Sequence, residues 1–343
     1  MTLEELSRIL SGKTVLVTGG GGTIGSEICR QVAVRKPARI VCLGWREEKL
    51  ISVRDELREW APNVEVATEL CDVQRRERLA AVFDTHRPNI VFHAAAKKDI
   101  LYAEAHPTEA VMVNVQGTVN VVDMALANHS ETLIFTSSTK AFRPVSVMGS
   151  TKRLGEIIVA AAAKSAGQAF FTVRLSNVLE SSGGVHALFR RQIESGGPVT
   201  VTHPDAERIF VTAAETVGLL LDVLVMRPQG DILALAAGET TKIAELARRL
   251  VRSYGLQVGR DIDIEYIGLR SGERLVEETT YDGRVWLSTT NDKILISGLD
   301  GASAPDPGFD KSVKELLLVV KRGGDTGAVL EQLRKMVPSL KLG

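Results

Sequence analysis

The chain has 343 residues, 44% of them apolar, and Lys plus Arg equals Asp plus Glu at 42 each. A net charge of zero excludes nucleic acid as the main partner, because binding a phosphate backbone needs a basic excess; a local basic patch for a diphosphate remains compatible with it. Cys29, Cys42 and Cys71 lie in apolar or helical patterns without metal-type spacing, so they read as reduced thiols and no metal site is expected. No apolar run approaches the length of a membrane span and the first residues are not a signal peptide, so the expectation is a cytoplasmic chain with no membrane partner.

In chain order, 3–10 reads as a short amphipathic helix and TVLVT (14–18) as a β-branched strand. Glycines follow, then a helix over 24–34. Strands at 38–43, 64–70, 89–93, 131–137 and 169–175 alternate with helices at 50–60, 79–86, 111–127 and 154–166. Strands without polar alternation, separated by helices, predict a doubly wound parallel sheet of Rossmann type, covered on both faces. After Arg174 the rhythm breaks into short polar and glycine-rich pieces. A helix at 213–225, a strand at 232–235, a helix at 243–254, a charged stretch around 270–278 and a last helix at 328–337 follow. The expected division is a dinucleotide-binding domain over 1–175 plus about 209–230, and a smaller mixed α/β lobe over 176–208 and 231–343. The apolar surplus of 111–127 and 154–166, including IIVAAAA (157–163), predicts a homodimer or larger homo-oligomer.

The segment TGGGGTIG places Gly19, Gly22 and Gly25 between the first strand and a helix that opens near Thr23 and Ile24. Glycine there permits a tight turn, close approach of backbone N–H groups to a pyrophosphate and close helix–strand packing, while the helix N-terminus favours the anion. This strand–turn–helix context supports a nicotinamide dinucleotide. An acid normally ends the second strand and holds the ribose 2′-hydroxyl; here Gly44, Trp45 and Arg46 stand in that place. Arg46 can pair with a 2′-phosphate, which favours NADP over NAD despite Glu47 and Glu48 beside it. Asp72 and Val73 follow the third strand, where such folds contact adenine.

SGKTVLVTGGGGTIGSEICRQ (11–31), VFHAAA (91–96), NVQGTVNV (114–121), VMGSTKR (147–153), VRLSNVL (173–179), GGPVTVTHPDAERIF (196–210) and GLRSGERLVEE (268–278) together resemble the extended short-chain dehydrogenases. Within that group the chain is similar to the capsular-polysaccharide and UDP-N-acetylglucosamine 4,6-dehydratase family. The resemblance covers nearly the whole chain and implies a nucleotide-sugar substrate. It places Ala94, Ala95 and Asn114 at the cofactor, with Lys152 at the nicotinamide ribose. It places Lys98, Asn177, Arg208, Arg270 and Glu273 at the substrate, the two arginines at its diphosphate and Glu273 at a ribose hydroxyl.

The family's S-T-D-K is Ser137-Ser138-Thr139-Lys140 here, so the lysine is kept and the aspartate is replaced by Thr139. The family's Y-x-x-x-K is Met148 to Lys152, a methionine known in one branch of the family. In a 4,6-dehydration, a C4 ketone acidifies the C5 proton, a base removes it, and an acid protonates the departing O6. Lys140 can be that base if burial and neighbouring cations such as Lys152 lower its pKa. Ser138, Thr139 and Met148 complete the expected catalytic set. Thr139 is too weak an acid for O6; Lys140 once protonated, Asp99 or Glu180 could supply the proton. Loss of the acid also keeps open a C4 epimerase or ketoreductase, and a non-catalytic nucleotide-sugar binder. Retention of Lys140 and Lys152 speaks against the last of these.

Overall fold

The computed structural model describes residues 3–181, 183–228, 232–277, 286–297 and 308–340. Its elements run α1 (Leu3–Leu10), β1 (Thr14–Thr18), α2 (Thr23–Ala33), β2 (Arg39–Gly44), α3 (Glu47–Trp60), β3 (Glu65–Leu70), α4 (Arg76–His86) and β4 (Ile90–His93). Then come α5 (Ile100–Ala105), α6 (Pro107–Val111), α7 (Gly117–Ala127), β5 (Thr132–Ser138), α8 (Val147–Ala166), β6 (Ala169–Leu175), β7 (Asn177–Val178), α9 (Val185–Glu194), β8 (Val199–Val201) and β9 (Glu207–Val211). The chain continues through α10 (Ala213–Met226), β10 (Ile232–Leu235), β11 (Glu239–Lys242), α11 (Ile243–Ser253), β12 (Ile264–Tyr266), β13 (Trp286–Ser288), β14 (Ile294–Ser297), α12 (Phe309–Lys321) and α13 (Thr326–Met336).

The large sheet has the order β13-β14-β10-β6-β5-β4-β1-β2-β3. It is parallel from β3 to β10, and β14 and β13 are antiparallel at the far edge. Strand order reverses beside β1, where the chain goes to β2 on one side and β4 on the other. That opens the crevice in which a doubly wound sheet holds its ligand. Val15, Leu16, Val17, Ile40, Val41 and Phe92 are fully buried, as strands covered on both faces require. A small lobe carries the sheet β11-β9-β7 and the pair β12-β8. Its separate core joins Phe189 and Ile193 of α9 to Val199, Val201, Ala247 and Val251.

Three expectations change. Residues 232–235 and 286–297 join the large sheet instead of the lobe, β10 pairing parallel with β6 and β14 antiparallel with β10. The tail helices α12 and α13 also belong to the dinucleotide half, because Val313, Leu316, Leu317, Val329 and Leu333 pack into the same core as α7 and α8. Much of the apolar surplus of α7 and α8 that suggested an oligomer is buried within the one chain, where α7 packs on α4 and α8 and the tail helix α13 packs on α6 and α8. The stretch Pro107–Ala127 is long and apolar enough to cross a membrane by length and composition alone, but 72% of it is buried in the protein's own core. The single helix expected over 111–127 is interrupted by a wider turn, Met112–Gln116.

Candidate active site

Nearly every residue singled out from the sequence lines one cavity of about 730 Å³. At its cofactor end the β1–α2 turn is built from glycines that nothing larger can replace. Gly19 has φ +69°, and a Cβ there would come within 2.8 Å of Ala95 N; a Cβ on Gly25 would sit 2.1 Å from Gly19 O. The N-terminus of α2 has no side-chain cap, and Thr23, Ile24 and Gly25 line the cavity. An uncapped helix start behind a tight glycine turn is the donor set that a pyrophosphate requires, so the residues fit a dinucleotide. Ala94 N and Ala95 N donate to Thr18 O and Thr18 Oγ1, which fastens the end of β4 to the end of β1. His93 beneath them is fully buried between the Thr18 and Thr118 hydroxyls. Burial pushes its pKa down to about 3, so it is a neutral core histidine.

Gly44, Trp45 and Arg46 also line the cavity. Arg46 is already paired, with Nε 2.8 Å and a terminal nitrogen 2.6 Å from Glu48 Oε1. A 2′-phosphate must therefore compete with Glu48 for it. Asp72 and Val73 also line the cavity; Asp72 accepts from Gln74 N at 3.0 Å and from Gln74 Nε2 at 3.1 Å, which stiffens the turn after β3. Asn114 is set behind the cavity wall. It is 1% exposed and absent from the lining, and it bonds Lys97 N, Lys97 O and Thr151 Oγ1. It braces the loop after β4 from inside the wide turn, a distortion common at functional sites.

Ser138, Thr139 and Lys140 leave the C-terminal end of β5, and Met148 and Lys152 lie on the first turns of α8. The sequence starts this helix at Leu154, but Ser146 caps it earlier by accepting from Gly149 N. Beneath them lies a buried ionic network. Glu156 accepts from Arg174 Nε at 2.8 Å and Arg174 NH2 at 2.9 Å, from Ser137 Oγ at 2.7 Å and from Arg153 at 2.9 Å. These donors hold the Glu156 carboxyl at about 2 against the desolvation that would raise it. The network ties β5 and β6 to α8 and so fixes Lys140 relative to Met148 and Lys152. Lys152 is 4% exposed, with Nζ 4.2 Å from the Phe135 ring centroid. Burial brings its pKa down to about 7, only partly opposed by Glu156.

Lys140 meets surroundings unlike those expected of a base. Its Nζ is 2.8 Å from Asn177 Oδ1 and 2.8 Å from Glu277 Oε1. Glu277 was not foreseen; it is the first of two adjacent glutamates at the end of GLRSGERLVEE, and nothing in their spacing marks one as buried. Its carboxylate also receives Thr139 Oγ1 at 3.2 Å, Asn177 Nδ2 at 2.8 Å and Arg208 Nε at 3.2 Å. Burial pushes its pKa up, but the charges of Lys140 and Arg208 outweigh this and hold it below the usual carboxylate range. Asp99 and Glu180 also line the cavity, but Asp99 is used to cap α5, accepting from Tyr102 N, and Glu180 is exposed.

Arg208, also in the lining, is committed to the protein. It donates to Glu207 O, Leu275 O, Glu273 Oε1 and Glu277 Oε1, so the open fork expected for a diphosphate is largely used. Glu273 receives Thr202 Oγ1 and Arg208 on Oε1 and Arg270 N on Oε2. The Arg270 guanidinium lines the cavity with no partner among the described residues, which leaves it the better fork for a diphosphate. Lys98 lines the cavity as well, exposed to it and without a hydrogen-bond or ion-pair partner among the described residues.

Residues 15–298 match the family model described as polysaccharide biosynthesis protein. The chain belongs to that family. It is 40% identical over 300 residues to the probable polysaccharide biosynthesis protein EpsC of Bacillus subtilis, covering 87% of this chain and 50% of that protein. It is 39% identical over 302 residues to the capsular polysaccharide biosynthesis protein CapD of Staphylococcus aureus, covering 88% and 50%. The chain thus spans about half the length of these relatives. A UDP-glucose 4-epimerase of Rickettsia rickettsii is 31% identical over 271 residues, 77% of this chain and 76% of that one. Among solved structures, Pen from Bacillus thuringiensis superposes with TM-score 0.72 at 29% identity, over 79% of this chain and 84% of that one. DesIV of Streptomyces venezuelae, a dTDP-glucose 4,6-dehydratase with NAD bound, shares the fold with TM-score 0.69 at 19% identity, over 78% and 88%.

Proposed function

We propose that this protein is a nucleotide-sugar 4,6-dehydratase that acts on a UDP-N-acetylhexosamine in the synthesis of polysaccharide precursors. The observation that carries the reading is the position of Lys140. It lines the same cavity as the β1–α2 turn and Arg270, held by Asn177 from β7 and by Glu277. A nicotinamide dinucleotide, held by the β1–α2 turn, Arg46 and Lys152, supplies the acceptance and return of hydride when bound. The chain's own residues do the rest. Arg270 takes the diphosphate, the buried Glu156 network keeps β5 and α8 in register, and the lysines that line the cavity move protons at C5 and O6.

A second reading, C4 epimerase, draws support from the epimerase relative and from Thr139 in the place of an acid. Met148 does not separate the two, because both begin by taking a proton from the C4 hydroxyl and a thioether can serve as that base in neither; the retained Lys140, which only the dehydratase needs at C5 and O6, favours the first reading. Incubation with UDP-N-acetylglucosamine and either nicotinamide dinucleotide separates the two. Loss of water by mass spectrometry is expected; an unchanged mass with a new C4 epimer by NMR would replace the dehydratase reading with the epimerase.

A further inference from the structure

Lys98 and Lys140 both line the cavity, and among the described residues they are not equivalent. Lys140 carries a buried carboxylate, Glu277, at 2.8 Å and an amide oxygen at 2.8 Å. Lys98 has neither, and its sequence neighbour Asp99 spends its carboxylate on the N-terminus of α5. We propose, resting on the dehydratase reading above, that Lys98 takes the C5 proton and that Lys140 delivers a proton to O6, in the place of the aspartate lost at Thr139.

The argument is one of charge. A neutral amine at Lys140 could still donate to Glu277 and Asn177 Oδ1, but it would take away one of the two cations that balance the buried Glu277 carboxylate, a costly arrangement. Lys140 is thus held as the ion-pair partner of Glu277, and an ammonium is an acid. A second cation near it is disfavoured, and the lysine without a carboxylate partner is the one that gives up its proton. In keeping with this, partial desolvation and the Lys140 charge lower the Lys98 pKa, with Asp99 opposing them. Glu277 is a poor candidate for the base itself, since Lys140, Arg208, Asn177 and Thr139 already occupy its oxygens. It is a positioning residue that holds Lys140 by an ion pair.

The step balances. With the sugar as its 4-ketone, the C5–H bond breaks and its proton goes to the Lys98 amine. The electron pair becomes the C5=C6 bond, the C6–O6 bond breaks, and a Lys140 N–H proton completes the departing water. When hydride later returns to C6, Lys98 gives its proton back to C5.

The test uses two probes, UDP-N-acetylglucosamine for water loss and UDP-4-keto-6-deoxy-N-acetylglucosamine in D2O for exchange at C5, read by NMR. Lys98→Met should lose both C5 exchange and water loss by about 10²–10⁴-fold. Lys140→Arg keeps a cation beside Glu277 but offers a far weaker acid; it should lose water loss by a similar factor while C5 exchange stays within a few-fold of the unaltered protein. Lys98→Gln serves if the Met variant does not fold, and UDP binding by calorimetry checks that each site is intact. Glu277→Asp should retain more water loss than Glu277→Gln and leave exchange alone. Exchange abolished in Lys140→Arg, or retained in Lys98→Met or Lys98→Gln, would overturn the assignment of roles. An unaltered protein that shows neither exchange nor water loss would overturn the dehydratase reading instead.

Discussion

The Thr139 hydroxyl donates to Glu277 Oε2 across 3.2 Å, so the position that lost its own carboxylate faces another brought in from the lobe. Restoring an acid by Thr139→Asp puts two carboxylates within hydrogen-bonding reach of each other in a buried setting, where both cannot ionise freely. The expected outcome is a loss of about 1–3 kcal/mol of stability in urea unfolding with no faster water loss. Adding Glu277→Gln to Thr139→Asp should restore most of that stability. A single Thr139→Asp variant that is both as stable and faster would show that Glu277 does not hold this contact in solution.

Arg46 is pinned by Glu48, and this sets a measurable limit on cofactor choice. The unaltered protein should bind NADP no more than about tenfold tighter than NAD, the value of one charge-assisted contact. Glu48→Gln frees the guanidinium and should raise NADP affinity several-fold while leaving NAD unchanged. Fluorescence titration of both cofactors reads this, and equal effects of Glu48→Gln on NAD and NADP would remove Arg46 from the 2′ position.

Lys152 costs the empty protein stability. Its pKa falls from 10.5 unfolded to about 7 folded, so the unfolded chain holds the proton more tightly. The penalty is full below about pH 7, shrinks as pH rises and is gone above 10.5. Lys152→Met should therefore raise the Tm most at pH 6 and least near pH 10, by a gain of about 1–3 kcal/mol at the acid end. The same variant should bind a nicotinamide dinucleotide about tenfold more weakly or worse. Unchanged cofactor affinity would make Lys152 a core lysine only.

Glu156 has the opposite sign. Its pKa drops from 4.5 to about 2, so its contribution is present above pH 4.5 and is lost as pH falls toward 2. Glu156→Gln leaves Arg174 buried beside a neutral amide and should cost about 3–5 kcal/mol at pH 7. The variant should also show a flatter acid limb between pH 4.5 and 2 than the unaltered protein, measured by unfolding at stepped pH.

What the sequence alone determined is local. Apolar strands bounded by glycine and helical periodicity placed β1, β6 and β10 at the observed bounds, because backbone period and burial are written within a few residues. The glycine turn was equally legible, since only glycine can take φ +69° against Ala95 N. Short or polar elements such as β7, β8 and β12 carried too few residues for a period. Helices α9 and α12 were missed, and α8 was begun two turns late because VMGSTKR reads as polar until the sheet and the tail helices bury it.

What only the tertiary structure decided is who partners whom. Glu277 reaches Lys140 from 137 positions away in sequence, Arg174 finds Glu156 in the core, and α12 and α13 join the core that α7 and α8 share. An ion pair or a covered face is a property of two distant segments. No pattern along one segment records it, and the sign of each pKa shift follows from the partner and from the burial that comes with it.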